Sequence, residues 1–468
     1  MDPAVAIATT HDMLQRIVRA HPWLVAEPAV DSAVGRCRAL AAMGAPSVFA
    51  LGAADTEGAP SPSVAWASLD LATSGLLDTM HAGEAALDAV PDKVVEQIDA
   101  WDPERRARVV RAVFSDGAPV AHRATFGARP AAWAAFDDKT AIDELWDAVS
   151  IERAPRFVVP ADAEALASAH TALDHGFGTV WAIDNREGWT GAALGTRWVH
   201  DAATLDAATA FARQRADQVR VMPFLEGIPC SIHGMVFPDH VLVLRPCELV
   251  TLRDPVRGRF VYGTASTLWD PPPADRAALR AVARRVGEHL RAAVDYRGTF
   301  TVDGVLTAQG FRPTELNPRF GAALGFIAQA TPQVDLYLLH LTLIEGQSRW
   351  PPGLAAALEE GLVARADARR AGGSRIWLPG PDPMPDRDLS VLLDDGRWRE
   401  ARDGESRIAR VRTYNLPSGP IFAVGFEAGA MEAGTPVAPL VAGVANWLNA
   451  PWALGLPELH APRSASGR

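Results

Sequence analysis

Apolar and polar residues alternate along this chain with two periods, one typical of helices and one typical of strands. From about residue 130, short apolar strands interleave with amphipathic helices, which is typical of α/β or α+β architecture. The pattern there predicts helices over 138–149, 161–174, 201–217, 275–294 and 334–344, and strands over 156–159, 179–183, 219–225, 230–237, 240–250, 258–263, 299–307 and 311–317.

The two ends of the chain carry weaker patterns. We interpret residues 1–130 as a small α/β domain and residues 347–468, which are rich in proline and glycine, as a domain of short strands. Between them, 131–346 forms the best-defined region. In the first 130 residues the pattern predicts helices over 13–20, 33–42 and 92–112, a strand over 47–51 and a turn-rich loop over 52–63.

One predicted hairpin carries three oxygen-bearing side chains. Alternating residues flank a short Ala-Gln-Gly loop, in which glycine suits a left-handed conformation. A three-residue loop pairs Thr307 with Phe311, and counting back from that pair places Asp303 opposite Glu315. Period-two alternation puts Asn317 on the same face as Glu315. The sequence therefore predicts that three side-chain oxygens converge.

Two opposed carboxylates repel each other unless something positive lies between them. Carboxylate and amide oxygens suit Mg²⁺, which proteins usually hold together with substrate phosphates, so a metal–nucleotide complex is the expected occupant. The alternative is a solvated sheet face on which the acids stay apart or one of them is protonated. Pro318 should end the strand, which places Arg319 just beyond these side chains. Its guanidinium suits phosphate or a developing oxyanion, although alone it is equally a surface arginine.

The run Glu-Leu-Asn-Pro-Arg at 315–319, with an aspartate twelve residues upstream, resembles the metal-binding strand pair of the ATP-grasp superfamily, carboxylate-amine ligase type. The resemblance covers about 130–346. It implies a three-domain α/β (α+β) architecture with the nucleotide between two α+β subdomains. These are the lobes 131–224 and 225–346 of an ATP-grasp domain, which 1–130 precedes and 347–468 extends.

The same resemblance assigns roles to individual residues. It implies that Asp303, Glu315 and Asn317 bind Mg²⁺, or Mn²⁺ in its place, and that Arg319 meets the substrate or the acyl phosphate. Lys139, expected at the start of a helix, resembles the first lysine that reaches the ATP phosphates. The implied nucleotide-binding residues are Lys139, Gly188, Gly191, Met222, Phe224, Leu225 and Glu226. Arg186 and His233 are further candidates from the sequence itself, although a single histidine on a strand is more often structural.

The sequence departs from the family pattern at one strand. Family members usually carry a second lysine before the glycine-containing loop, whereas this strand, Val180–Ile183, has no basic residue. Arg186 in that loop is the candidate replacement. Lys93 is the only other lysine besides Lys139, and it matches no family position, so we expect a surface residue.

The amino-acid composition indicates which classes of partner and which cellular location to expect. The net charge of −11, without a basic run, lacks the footprint of a nucleic-acid binder, so small-molecule substrates are favoured. No apolar run reaches the roughly 18 residues that span a bilayer, and the first residues lack a basic leader pattern, so no membrane partner is expected. Three widely spaced cysteines suggest a reducing, cytoplasmic location. The oligomeric state stays open, with a homodimer as one alternative.

These observations predict an ATP-dependent ligase that joins a carboxylate to an amine through an acyl phosphate, releasing ADP and phosphate. Amino-acid-like substrates and an amide or peptide product are expected. Two alternatives share the nucleotide site: a kinase-like phosphotransferase, and a non-catalytic nucleotide-binding module, which the missing second lysine favours. No nucleophile elbow, zinc helix or P-loop motif is present in the sequence.

Overall fold

The computed structural model describes residues 1–54, 64–71, 73, 75–111, 117–186, 188–380, 382–416 and 418–463. Most of the predicted loop 52–63 lies outside the described residues. Among the described residues, no helix combines the length and apolarity needed to cross a membrane.

The N-terminal region is a parallel four-stranded sheet flanked by helices. Its elements are α1 (Pro3–Arg19), β1 (Trp23–Ala29), α2 (Val30–Ala42), β2 (Val48–Ala54), β3 (Ala65–Ser68), α3 (Leu76–Asp88), α4 (Asp92–Trp101) and β4 (Arg108–Arg111). The strand order is β3-β2-β1-β4. The predicted helix over 92–112 is wrong in its second half. The helix ends before Pro103, and Val109 and Val110 are buried in β4 beside β1.

The next region is a small lobe built on an antiparallel sheet. Its elements are α5 (Ala131–Ala134), a 3₁₀ turn (Ala135–Asp137), α6 (Asp143–Ala148), β5 (Phe157–Pro160), α7 (Ala163–Leu173), β6 (Thr179–Ile183), β7 (Thr196–Val199), α8 (Ala202–Arg215) and β8 (Gln218–Pro223). The strand order is β5-β8-β6-β7. One face of this sheet buries Trp181, Ile183 and Val219 against α7 and α8. The alternation of short strands and helices that the sequence predicted is confirmed in this lobe.

A larger antiparallel sheet follows. Its elements are β9 (Ile228–Val236), β10 (Val241–Val243), β11 (Cys247–Asp254), β12 (Arg259–Ser266), α9 (Pro273–Val294), β13 (Gly298–Thr307), β14 (Gly310–Asn317), α10 (Leu324–Ala328) and α11 (Leu336–Glu345). The order is β12-β11-β9-β13-β14, and β10 pairs with β9. One face packs Ile232, Val302 and Leu316 with α9 in a single apolar core. Period-two alternation therefore leaves the opposite face for polar side chains.

The last region combines an antiparallel sheet with two helices that the sequence did not predict. Its elements are α12 (Leu354–Ala368), β15 (Gly373–Trp377), β16 (Arg387–Asp394), β17 (Arg397–Glu400), β18 (Ala409–Leu416), β19 (Gly419–Phe426) and α13 (Ala438–Trp452). The prediction of strands alone is thus incomplete. Leu358 and Leu362 of α12 share a core with Ile7 and Leu14 of α1, so this helix packs against the N-terminal region.

Candidate active site

The hairpin β13–β14 places Asp303 directly opposite Glu315, as predicted. The predicted three-residue loop is wrong, however, because Thr307 pairs with Gly310 and the loop has two residues. A bulge at Thr314, whose hydroxyl donates to the Asp303 carbonyl, adds one residue to β14 and restores the pairing. The shorter loop and the bulge shift the register by one residue in opposite directions. Counting along the sequence therefore still gave the observed pair.

Two rows of side chains cross the polar face of the large sheet. In one row, β9, β13 and β14 contribute Ser231, Asp303 and Glu315. In the adjacent row the same strands contribute His233, Thr301 and Asn317. His233, predicted to face the nucleotide, thus shares the face of the predicted metal ligands. Sequence reasoning missed Ser231 and Thr301, because β9 and β13 are paired across more than sixty residues of intervening chain.

The two carboxylates share one hydrogen-bond donor. The Asn317 Nδ2 atom donates to Asp303 Oδ2 at 2.8 Å and to Glu315 Oε1 at 3.0 Å. The other Asp303 oxygen accepts a short hydrogen bond from the Ser231 hydroxyl. The two acids therefore lie close together instead of staying apart.

Burial and charge set the protonation of this cluster. Burial raises the pKa of Asp303 to about 7, and the neighbouring charge of Glu315 acts in the same direction. Burial also disfavours the Glu315 carboxylate, but the charge of Lys139 and hydrogen bonds from Lys139 and Asn317 bring its pKa below the usual value. Burial lowers the pKa of His233 to about 3, so its imidazole is neutral at neutral pH. Its Nδ1 atom lies 2.8 Å from the Thr301 hydroxyl.

Lys139 approaches this cluster from the small lobe. Its Nζ atom lies 2.9 Å from Glu315 Oε2 and donates to the Thr190 carbonyl at 3.3 Å. The prediction that Lys139 opens a helix is wrong, since α6 begins at Asp143. Asp138 instead accepts hydrogen bonds from the amide and hydroxyl of Thr140, which form a turn. The lysine nevertheless reaches the predicted metal ligands.

Arg319 lies beside the same cluster. Its Nη2 atom donates to Asn317 Oδ1 at 2.5 Å, and its guanidinium carbon lies 5.1 Å from the centre of the Trp189 ring. Its Nε atom is 3.7 Å from Asp137 Oδ1, and Asp137 also pairs with Arg129 at 2.8 Å. The guanidinium is therefore held in place on several sides rather than exposed on the surface. Sequence reasoning missed Trp189 and Asp137.

The glycine-containing loop lies over the hairpin. The Trp189 carbonyl accepts a hydrogen bond from the imidazole of His81 of α3 at 3.0 Å, so the N-terminal region contacts this loop. A Cβ atom at Gly191 would lie about 2.0 Å from the Trp189 ring, so only glycine fits there. Gly188 has φ +91° and is exposed.

Arg186 belongs to the same glycine-containing loop. Its guanidinium donates to Asp217 at 3.1 Å and to the Gln214 carbonyl at 2.7 Å, beside the end of α8. These contacts hold the guanidinium against the end of α8 and the segment that follows it. Its role as the replacement for a second lysine stays a prediction.

The remaining predicted nucleotide residues lie where the two lobes join: Met222 is in β8, and Phe224, Leu225 and Glu226 follow it before β9 begins. Phe224 packs on Trp198 with ring centres 4.9 Å apart. Glu226 forms two hydrogen bonds with Arg253 and accepts a third from the Arg463 amide at 2.9 Å. A ribose contact by Glu226 would therefore have to share a carboxylate that already has partners.

The donor set fits a divalent cation. The Asn317 amide nitrogen lies within hydrogen-bond distance of one oxygen of each acid. A cation at the position of this nitrogen would therefore be close to both carboxylates. Rotating the Asn317 amide by half a turn would direct its oxygen, which accepts from Arg319, toward the two acids in place of its nitrogen. Among the described residues, no group of three or more His, Cys, Asp or Glu side chains is placed to hold a metal ion.

Comparison with known proteins identifies the fold. No family model and no curated protein sequence matches the chain. Among solved structures, a biotin carboxylase from Campylobacter jejuni in a beta-gamma-ATP complex is 12% identical, with a TM-score of 0.51, and the match covers 86% of each chain. The biotin carboxylase domain of 2-oxoglutarate carboxylase from Hydrogenobacter thermophilus, complexed with MgADP, ADP and bicarbonate, is 12% identical with a TM-score of 0.50. That match covers 86% of this chain and 85% of the other. The chain therefore has the ATP-grasp fold that its hairpin motif predicted.

Proposed function

We propose that this protein is an ATP- and magnesium-dependent ligase that joins a carboxylate to an amine through an acyl phosphate. The observation that carries the proposal is the pairing of Asp303 with Glu315 across the hairpin, where one amide nitrogen bridges both acids. The ATP-grasp fold also supports the proposal. The two acids lie on the sheet face that meets the small lobe, where Lys139 contacts Glu315. Amino-acid-like substrates and an amide or peptide product are part of the proposal.

Asp303, Glu315 and Asn317 would hold Mg²⁺, or Mn²⁺ in its place. When bound, the ion would neutralise charge on the ATP phosphates, on which phosphoryl transfer chiefly depends. Ser231 keeps Asp303 oriented by donating to one of its oxygens, which leaves the other oxygen toward Asn317. Asn317 would hold the ion through its amide oxygen instead of donating to the two acids.

Lys139 and Arg319 supply the positive charge. Lys139 is held against Glu315 and would move to the phosphate oxygens when a metal takes its place. The substrate carboxylate attacks the γ-phosphorus and ADP leaves. The amine then attacks the acyl carbon, loses a proton and displaces phosphate. Arg319, held against the Trp189 ring and beside Asp137, stabilises the oxyanion that forms in this second step.

The setting and assembly also belong to the proposal. Cys37, Cys230 and Cys247 are buried free thiols, which accords with a cytoplasmic location. A homodimer stays one alternative for the assembly.

A screen of amino-acid pairs for ADP release, followed by mass measurement of any condensed product, tests the proposal. A ligase gives ADP, phosphate and a product that contains both substrates. ADP release with a stable phosphorylated product that does not depend on amine would indicate the kinase-like alternative. Calorimetric ATP binding without turnover on any pair would indicate the non-catalytic module.

Glu315→Ala provides the mutational test. We expect it to abolish phosphate release that depends on the acid substrate, because one of two carboxylate ligands is lost. Glu288→Ala, an exposed acid on α9, is the matched control and should keep wild-type activity. Unchanged phosphate release by Glu315→Ala would contradict the proposed role of the hairpin.

A further inference from the structure

The strand order of the N-terminal sheet creates a crevice between β1 and β4. The chain runs outward from β1 to β2 and β3 and then returns to β4 on the other side of β1. All neighbouring strands are parallel, so their carboxyl ends lie at one edge. In open parallel sheets ligands bind outside these ends where the strand order reverses, which here is between β1 and β4.

An arginine is held at this edge with part of its guanidinium available. The Arg36 Nε atom donates to Glu27 Oε1 at 2.8 Å, close to the carboxyl end of β1. Its guanidinium carbon lies 4.4 Å from the centre of the Tyr337 ring. Within the described part of the chain, its two terminal nitrogens have no hydrogen-bond partner, and 31% of its side chain is exposed. A guanidinium fixed through Nε and one ring face leaves the edge that binds a carboxylate through two parallel hydrogen bonds.

The acids around Tyr337 already have donors. Glu27 pairs with Arg36, and Glu84 forms a short ion pair with the buried Arg111 of β4. Asp335 accepts hydrogen bonds from two backbone amides at the start of α11. Among the described charged groups around Tyr337, the terminal edge of Arg36 therefore has unused hydrogen-bonding capacity, and it favours an anionic group on a ligand.

The crevice is connected to the candidate active site through two aromatic rings. Phe320 follows Arg319 in the chain, and its ring meets the Tyr337 ring edge-on with centres 5.1 Å apart. The Tyr337 hydroxyl donates a short hydrogen bond to the Arg111 carbonyl, at the carboxyl end of β4. Tyr337 thus contacts Arg36 on one side, Phe320 on another and the end of β4 through its hydroxyl. A ligand held by Arg36 lies near the residue that follows Arg319.

We propose that Arg36 binds the α-carboxylate of the amine substrate, and that this substrate is therefore an amino acid whose amino group is directed toward Arg319. The inference rests on the proposed ligase function. It assigns amine recognition to the N-terminal region, with Tyr337 and Glu27 orienting the guanidinium. An amine without a carboxylate loses the two hydrogen bonds to Arg36 and binds less tightly.

Thermal unfolding in the presence of MgADP tests this inference without requiring turnover. The probes are the twenty L-amino acids, their α-amides and O-phosphoethanolamine. We expect at least one amino acid to raise the melting temperature of the wild type more than its amide does. For that amino acid, Arg36→Gln should weaken binding at least tenfold, with a smaller loss for Arg36→Lys. Arg38→Gln, an exposed arginine on the same helix, is the matched control and should bind as the wild type does.

Removing Arg36 leaves the half-buried Glu27 without its partner, so the double variant Glu27→Gln/Arg36→Gln is measured as well. It keeps this pair neutral and should also lose amino-acid binding. Binding that is equal in the wild type and in both Arg36→Gln backgrounds overturns the inference. So does a shift with O-phosphoethanolamine and with no amino acid, or no shift with any probe. In each of these cases, continued ATP-dependent condensation would show that the ligase proposal stands while the assignment of Arg36 falls.

Discussion

The ion pair between Lys139 and Glu315 predicts that the lysine and a divalent cation compete for one carboxylate. The Nζ atom lies 2.9 Å from Oε2, and the two side chains are 13% and 26% exposed. A hydrogen bond between charged groups contributes about 1.5–3 kcal/mol, and partial exposure favours the lower end of that range. A change of about 1.4 kcal/mol corresponds to a tenfold change in affinity.

We therefore expect Lys139→Met to bind Mn²⁺ about tenfold more tightly than the wild type when no nucleotide is present. The same variant should bind MgATP more weakly, because the phosphates lose a cation. The opposite signs distinguish competition from general damage to the site, which would weaken both.

The assay is a titration with Mn²⁺ in which electron paramagnetic resonance measures the free ion. Lys93→Met removes the only other lysine, which is exposed on α4, and should change neither affinity. Mn²⁺ binding by Lys139→Met that is no tighter than that of the wild type would show that Lys139 does not occupy the metal position.

Two further predictions concern stability. Burial, together with the charge of Arg129, lowers the pKa of His340 to about 3, while the unfolded value is near 6.5. The unfolded chain therefore takes up a proton first, and stability falls by about 1.4 kcal/mol per unit as pH falls from 6.5 toward 3. His340→Asn keeps an acceptor for the Thr299 amide. In urea unfolding, this variant should lose about 3 kcal/mol less stability than the wild type between pH 7.5 and 4.5. An equal loss of stability in the two proteins would contradict the assigned pKa. Asp143 pairs with the buried Arg220 at 2.7 Å and with Arg156 at 3.1 Å, so Asp143→Ala should cost about 3–5 kcal/mol. A calorimetric melting temperature equal to that of Asp147→Ala, an exposed control, would show that the Asp143 pair is not needed for stability.

Most strands of the two lobes were predicted well because their apolar residues recur with the simple period of a half-buried strand. Trp181 and Ile183 on β6, and Val302 and Leu316 on the hairpin, lie in apolar cores as the alternation requires. The hairpin pairing was correct although its loop was not. A bulge depends on local hydrogen bonding, here from Thr314, which hydrophobic alternation does not encode.

Long-range contacts explain what the sequence did not predict. Ser231 joins the site because β9 pairs with β13, and Trp189 reaches Arg319 only when the small lobe packs against the large sheet. Lys139 was identified from composition and resemblance, yet its helix was not, since Asp138 forms a turn instead. The turn chemistry of aspartate overrode the amphipathic pattern there.

Anomalous diffraction from crystals grown with Mn²⁺ and a non-hydrolysable ATP analogue would locate the metal relative to the two carboxylates. We expect a Mn²⁺ peak at about 2.0–2.3 Å from one oxygen of Asp303 and one of Glu315, a normal coordination distance. We also expect Lys139 to have left Glu315 for a phosphate oxygen. Bound nucleotide with no metal in contact with either carboxylate would refute the proposed metal site.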